Sequence, residues 1–197
     1  MLTFAEYFLL ENKYDPDTDS EYLKKDNIKE FNFYKKIGIG EDISSKEYAS
    51  LIDEATLKKF TPDQLLEIRP ELKEIAKGKT IKEKLKSLRS WYAKEKREPY
   101  GKVSGKLTLG NTKYLDSLID AMEKDEVEAP PILLKLNNHY LVSGGRTRIA
   151  IAYCLNKPIK CKVVKIHITD KDKAKKSLKK YFDISIESKL EKKEQKR

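Results

Sequence analysis

The chain has 197 residues, 39% hydrophobic and 38% charged, and its 42 Lys and Arg against 32 Asp and Glu give a formal net charge of +10. That length allows one good core or a core with an appendage, thinly filled and heavily solvated, and the basic excess favours polyanionic partners such as nucleotides or nucleic acid. No apolar run approaches the roughly 20 residues that span a bilayer, and Met1 to Glu6 lack the basic-then-apolar pattern of a secretory leader. Cys154 and Cys161, both set among apolar residues, form neither a disulfide framework nor a zinc pattern. The expectation is a protein without membrane association in a reducing, cytoplasmic compartment.

The first hundred residues read as helical. Capping boxes mark three helix starts, Ser44 with Glu47, Thr61 with Gln64 and Thr80 with Glu83, and Pro62 suits the first turn of the second. From Thr80 to about Lys96, apolar residues at Ile81, Leu85, Leu88, Trp91 and Tyr92 form one helical stripe on an otherwise basic helix. The segment from Asn12 to Asp42 is polar and aromatic with weak periodicity, and Glu98 to Gly105 reads as a break. Asn111 then caps a helix with apolar positions Leu115, Leu118, Ile119 and Met122. A hairpin follows, Ile132 to Leu136 and His139 to Val142, joined at Asn137-Asn138. Arg146 to Asn156 is a short helix, apolar on nearly every side and so expected to be buried, with Asn156 at its C-terminal cap. Ile159 to Ile168 is a strand, and an apparent change of phase at Val164 suggests a β-bulge. Residues 169–197 are mostly charged, with a few apolar positions, and suggest a marginal helix and a frayed tail.

The chemistry concentrates at Ser143-Gly144-Gly145-Arg146-Thr147-Arg148, where a strand runs through two glycines into a helix. The first turn of a helix has backbone N–H groups without intrahelical partners, and the macrodipole adds positive charge there. Both favour a bound anion. Arg146 and Arg148 supply forked donors suited to phosphate, and Ser143 and Thr147 supply hydroxyls. Two arginines at this end oppose the dipole by roughly 0.3–1 kcal/mol each, a sign that a bound anion reverses. The motif is neither a Walker loop, for want of Gly-Lys-Ser/Thr, nor a dinucleotide fingerprint, for want of a third glycine.

With its flanks, the turn resembles that of the ParB N-terminal and sulfiredoxin superfamily, over residues of about 111–168. The pieces are the helix Leu115 to Met122, the Pro131-Ile132-Leu133 strand start, the hairpin, Gly144-Gly145-Arg146-Thr147-Arg148-Ile149-Ala150, and the closing strand from Pro158 to Val164. The turn reads Gly-Glu-Arg-Arg-x-Arg-Ala in ParB proteins and Gly-Gly-Cys-His-Arg-Tyr-Ala in sulfiredoxins. The resemblance implies a small mixed-sheet α+β domain at 106–168, and the residues on either side read as a helical N-terminal region at 1–105 and a basic, charged C-terminal tail at 169–197. It also implies a nucleotide-phosphate cradle made by Ser143, Gly144, Gly145, Arg146, Thr147 and Arg148, with a nucleoside triphosphate (ATP or CTP) and Mg2+ as cofactors. Arg146 stands where sulfiredoxins carry their nucleophilic cysteine, so sulfinic-acid reduction is excluded. The acidic residue of the ParB turn is absent and Thr147 replaces one of its arginines, which separates the chain from the CTP-switch pattern.

Three functions follow as expectations. The first is NTP-dependent phosphotransfer or hydrolysis, as in a kinase or nucleotide hydrolase acting on a small hydroxyl compound, nucleic acid or a modified base, with Arg148 as the catalytic residue that neutralises transition-state charge. The second is ParB-type DNA binding without catalysis, gripped by Lys86, Arg89, Lys94 and Arg97 of the basic helix. Trp91 and Tyr92 fall on its apolar stripe and are expected in the core. The third is a ParB-like nuclease, ranked last because Asp, Glu and His do not cluster. A phosphotransfer site needs a carboxylate base or metal ligand. Glu128, Asp116 and Asp120 lie nearest in the motif but read as solvated helix residues, and His139 and His167 read as structural.

Overall fold

The computed structural model describes residues 27–94, 112–127 and 129–182. Residues 27–36 form a first helix, α1. The expected caps then start the helices that follow. Ser44 accepts from the Glu47 N–H and the Glu47 carboxylate accepts from the Ser44 N–H, opening α2 (Ser45–Asp53). Thr61 and Gln64 pair in the same way at α3 (Pro62–Ile68), with Pro62 in the first turn where no N–H is required. A one-turn helix, α4 (Leu72–Ile75), precedes α5 (Ile81–Lys94), which Thr80 and Glu83 cap. The N–H groups of Thr80 and Lys79 both donate to the Glu83 carboxylate and hold its pKa below the usual carboxylate range.

The remaining elements are β1 (Thr56–Phe60), α6 (Thr112–Glu123), β2 (Ile132–Leu136), β3 (His139–Gly144), α7 (Arg146–Cys154), β4 (Ile159–Lys165) and α8 (Lys171–Phe182). The four strands form one mixed sheet in the order β1-β4-β2-β3, with β4 antiparallel to β1 and parallel to β2, and β2 antiparallel to β3. The fold is α+β with a helical N-terminal region. The hairpin closes at Asn137, which adopts the positive φ that asparagine tolerates. Asn156 also has a positive φ and ends α7 in a Schellman motif, with the Lys157 N–H donating to the Ala152 carbonyl and the Asn156 N–H to Tyr153.

Helices cover the sheet on both faces. On the first, Leu65, Leu72, Leu85, Leu88, Tyr92, Leu115, Leu118, Ile149 and Ile151 pack with Leu133, Val142 and Cys161. On the second, Phe31 and Tyr34 of α1, Tyr48 of α2, and Ala174 and Leu178 of α8 pack with Leu134, Leu141, Val164 and Ile166. Burial pushes both thiols, Cys154 and Cys161, up to about 12, so neither is a thiolate at neutral pH.

Several readings of the sequence are corrected. Thr56–Phe60, within the stretch read as helical, is an edge strand of the sheet, and only Phe60 is buried. The core of the first face draws on residues from both sides of position 105. The β-bulge expected at Val164 is not there. Ile159, Cys161 and Val163 face one layer while Lys160, Lys162 and Val164 face the other, and the pairing of β4 with β1 and β2 is unshifted. The phase seemed to change because the second face becomes covered only at Val164. Finally, the helix expected in 169–197 is α8, and it docks Ala174 and Leu178 into the second core instead of lying in a tail. Ile81, placed on the stripe of α5, is exposed. Asn111, the break at 98–105, and residues 183–197 lie outside the described residues.

The docking of α8 has a direct test. Leu178 is fully buried, so Leu178→Ala should lower unfolding free energy by about 2–5 kcal/mol in urea titration. A frayed tail would leave the midpoint unchanged.

Candidate functional site

The register between β2 and β3 slips at the end that carries the motif. Ile132 pairs with Gly144 but Leu133 with Val142, which leaves Ser143 as the extra residue of a β-bulge. The bulge delivers the chain into Gly145, whose φ of 76° is left-handed, and α7 starts at Arg146 without a side-chain cap. Glycine is required at both positions by neighbours within the protein. A Cβ on Gly144 would fall on Asn27 Oδ1, and one on Gly145 would lie 2.8 Å from Pro131 Cα.

The first two helices clamp this turn. The Tyr34 hydroxyl donates to the Val142 carbonyl at 2.7 Å, and the Tyr48 hydroxyl shares a 2.6 Å hydrogen bond with Ser143 Oγ. Tyr48 stacks on Phe31, with ring centroids 3.8 Å apart. Burial raises the Tyr48 pKa well above the usual phenol value, partly offset by the Ser143 hydrogen bond, while the nearby Glu30 carboxylate raises it further. Arg146 makes an ion pair with Glu30 of α1. Arg69, at the end of α3, donates to the Arg146 carbonyl at 2.8 Å. Asn27, Glu30, Phe31 and Tyr34 share one face of α1 at helical spacing, and that face covers the turn.

Beside the turn lies a cleft of about 1220 Å³ at the end of the sheet where β2 and β4 begin. Arg148, only 2% exposed, lines it together with Asn27, Pro131 and Ala152. Its other wall is the uncovered part of the second sheet face, Leu57 and Lys59 of β1 with Lys160 and Lys162 of β4. Asp53, Asp125 and Lys157 also line it, and Lys157 is 3.4 Å from Asp125.

No known protein family, curated protein or solved structure matches this chain.

The six residues read as a cradle are therefore contiguous at the site but differently disposed. Ser143, Gly144 and Gly145 are buried, Arg146 and Thr147 are half-buried, and of the six only Arg148 lines the cleft. The residues read as a DNA grip lie elsewhere. Lys86 is exposed, Arg89 is bound to Asp116 at 2.5 Å, Lys94 lies in the last turn of α5, and Arg97 is outside the described residues. Neither Lys86 nor Arg89 lines the cleft. Tyr92 is buried and Trp91 packs against the same core. Among the carboxylates, Asp116 is engaged by Arg89, Asp120 is exposed away from the cleft, and Glu128 is outside the described residues. Glu30, Asp53 and Asp125 are the acids that sequence reading missed at the site. Among the described residues, no group of three His, Cys, Asp or Glu could hold a metal ion. These residues therefore do not form a dedicated metal cage; Mg2+ is commonly held by one or two carboxylates together with the phosphates of its ligand.

The Tyr48–Ser143 hydrogen bond should carry measurable stability. Tyr48→Phe leaves the buried Ser143 hydroxyl without this partner and should cost about 1–3 kcal/mol. Because burial raises the folded-state phenol pKa above 10, the stability contributed by the buried neutral Tyr48 is intact below pH 10 and is lost as pH rises beyond it. Denaturation followed against pH should show a shallower alkaline fall in the variant than in the wild type.

Proposed function

We propose that the chain binds the phosphates of a nucleoside triphosphate in the cleft beside residues 143–148 and transfers or hydrolyses the terminal phosphoryl group. The observation that carries this reading is Arg148, a guanidinium held in the interior at the start of α7 and lining a cleft with lysines on its far wall. Its positive charge adds to that of the helix N-terminus, and an anionic ligand in the cleft is favoured by both. The resemblance of the Gly144 to Ala150 motif to the ParB and sulfiredoxin turn points to the same ligand class.

Phosphoryl transfer is accelerated chiefly by positioning and by electrostatic stabilisation of the oxygens of the transferred group. Arg148 supplies fixed positive charge there without needing to move. The bulge, the left-handed Gly145 and the Tyr34 and Tyr48 hydrogen bonds hold its backbone in place. Arg146, paired with Glu30, positions the turn and does not contact phosphate in this reading. Asp53 and Asp125 on the cleft wall are the acids available to take a proton from the acceptor. Mg2+ enters with the nucleotide. The reading of DNA bound along α5 has less support, since Arg89 and Tyr92 are committed within the fold.

Thermal unfolding with each of ATP, CTP, GTP and UTP and Mg2+ tests the reading. At about 100 times its dissociation constant, the cognate nucleotide should stabilise the fold by about 2.7 kcal/mol. Arg148→Ala would leave a large hole in the core, so the controls are Arg148→Lys and Arg148→Met. The lysine variant should keep part of the nucleotide effect and the methionine variant should lose it. Folded protein that responds to none of the four nucleotides, yet binds duplex DNA with steep salt dependence, would refute the proposal.

A further inference from the structure

The part of the cleft lining that lies on β1 and β4 has a charge arrangement that the fold itself does not use. Lys59 of β1 stands directly across from Lys160 of β4, and Leu57 stands across from Lys162. Directly paired residues project from the same face, so three ammonium groups and one exposed leucine share a bare strip of sheet. Like charges facing each other across an antiparallel pair are destabilising. None of the three ammonium groups has an ion pair or hydrogen bond within the described residues, whereas Lys157, Lys173 and Lys77 each pair with an acid. The strip is not a general feature of the surface, because Lys58 on the other face of β1 donates to Tyr140 at 3.1 Å.

We propose that this strip is a subsite for an oligophosphate chain, with Lys59, Lys160 and Lys162 along the chain and its terminal phosphoryl directed towards Arg148. The inference rests on the nucleotide reading of the cleft and specifies which part of the ligand lies where. Alternate residues of a strand are about 7 Å apart, and facing residues about 5 Å. The cations therefore stand at three corners of a patch about 5 by 7 Å, with Leu57 at the fourth, a spread that a chain of phosphates neutralises better than a point anion does. A second observation marks the other end of the same cleft. Asn27, 3% exposed, lines it, and among the described residues its buried Oδ1 has no hydrogen-bond partner. A buried amide oxygen calls for a donor, and a proton-bearing acceptor group, a hydroxyl or a water, placed beside the terminal phosphoryl supplies one. The lysines hold the chain, Arg148 faces its end, and Asn27 meets the group that receives the phosphoryl.

The test uses inorganic anions as probes, so that it does not depend on the identity of a base. Calorimetric titration with orthophosphate, pyrophosphate and tripolyphosphate should show affinity rising with chain length and weakening with added salt. The triple variant Lys59→Ala, Lys160→Ala, Lys162→Ala changes solvent-accessible side chains and should fold. It should bind tripolyphosphate about 30-fold more weakly, roughly threefold per lysine. A control triple variant at the exposed Lys46, Lys171 and Lys176 removes the same net charge and should lose no more than about threefold. Equal affinity for the three anions overturns the proposal, as does an equal loss in both triple variants or a short oligothymidylate that binds the strip more tightly than tripolyphosphate. Unchanged nucleotide binding in the first triple variant also overturns it and leaves the nucleotide reading standing. Lysine-dependent tripolyphosphate binding without a response to any nucleotide supports the subsite and ends the nucleotide reading.

Discussion

The structure depends on the contact between α1 and the bulged end of β3. A strand that slips register and then turns through a left-handed glycine has several backbone groups out of their regular pairing, and buried groups of that kind must be satisfied elsewhere. Tyr34 provides a donor to the Val142 carbonyl and Tyr48 a partner for Ser143. Asn27 fills the space over Gly144, and Glu30 neutralises Arg146. These four side chains come from two helices on the second face of the sheet, while Arg69 reaches the same turn from the first. The turn is the point at which the two cores are joined.

That arrangement assigns different tasks to residues of one short motif. Gly144 and Gly145 are needed because protein, not ligand, approaches their backbone. Arg146 is paired within the fold. Arg148 lies on the interior side of the helix start, where α7, the end of the sheet and α1 leave a cleft. The macrodipole of α7 and the positive charge of Arg148 reinforce each other at that end, and the nearby Glu30 is engaged by Arg146. The lysines of β1 and β4 extend the positive potential along the sheet. The net charge of +10 is spread over the whole chain, but here it is concentrated by the pleat, which places Lys59, Lys160 and Lys162 on one face.

Much of this was legible in the sequence, for identifiable reasons. The three capping boxes, the Asn137 turn, the buried helix from Arg146 and the strand after Pro158 are set by interactions within a few residues. β1 was missed because four of its five residues are exposed and it is held by backbone pairing to β4. The change of face on β4 was read as a bulge because periodicity reports which side is covered, and coverage depends on helices distant in sequence. The acids and tyrosines of the site were missed for the same reason, since Tyr34 and Val142 are 108 residues apart. One signal was present. Asn27, Glu30, Phe31 and Tyr34 fall at helical spacing, and a polar pair within an apolar stripe of that kind marks a helix that covers something polar.

The central claim is that the anion site lies in the cleft between Arg148 and the lysines of β4, and not on the basic face of α5. A 1H–15N NMR titration of the full chain with Mg2+ and nucleoside triphosphate locates the site directly. The account predicts that the largest amide shifts fall at residues 144–149 and 160–162, with α5 little affected. Shifts concentrated on α5 around Lys82, Lys86 and Arg89, with the turn unmoved, would contradict it.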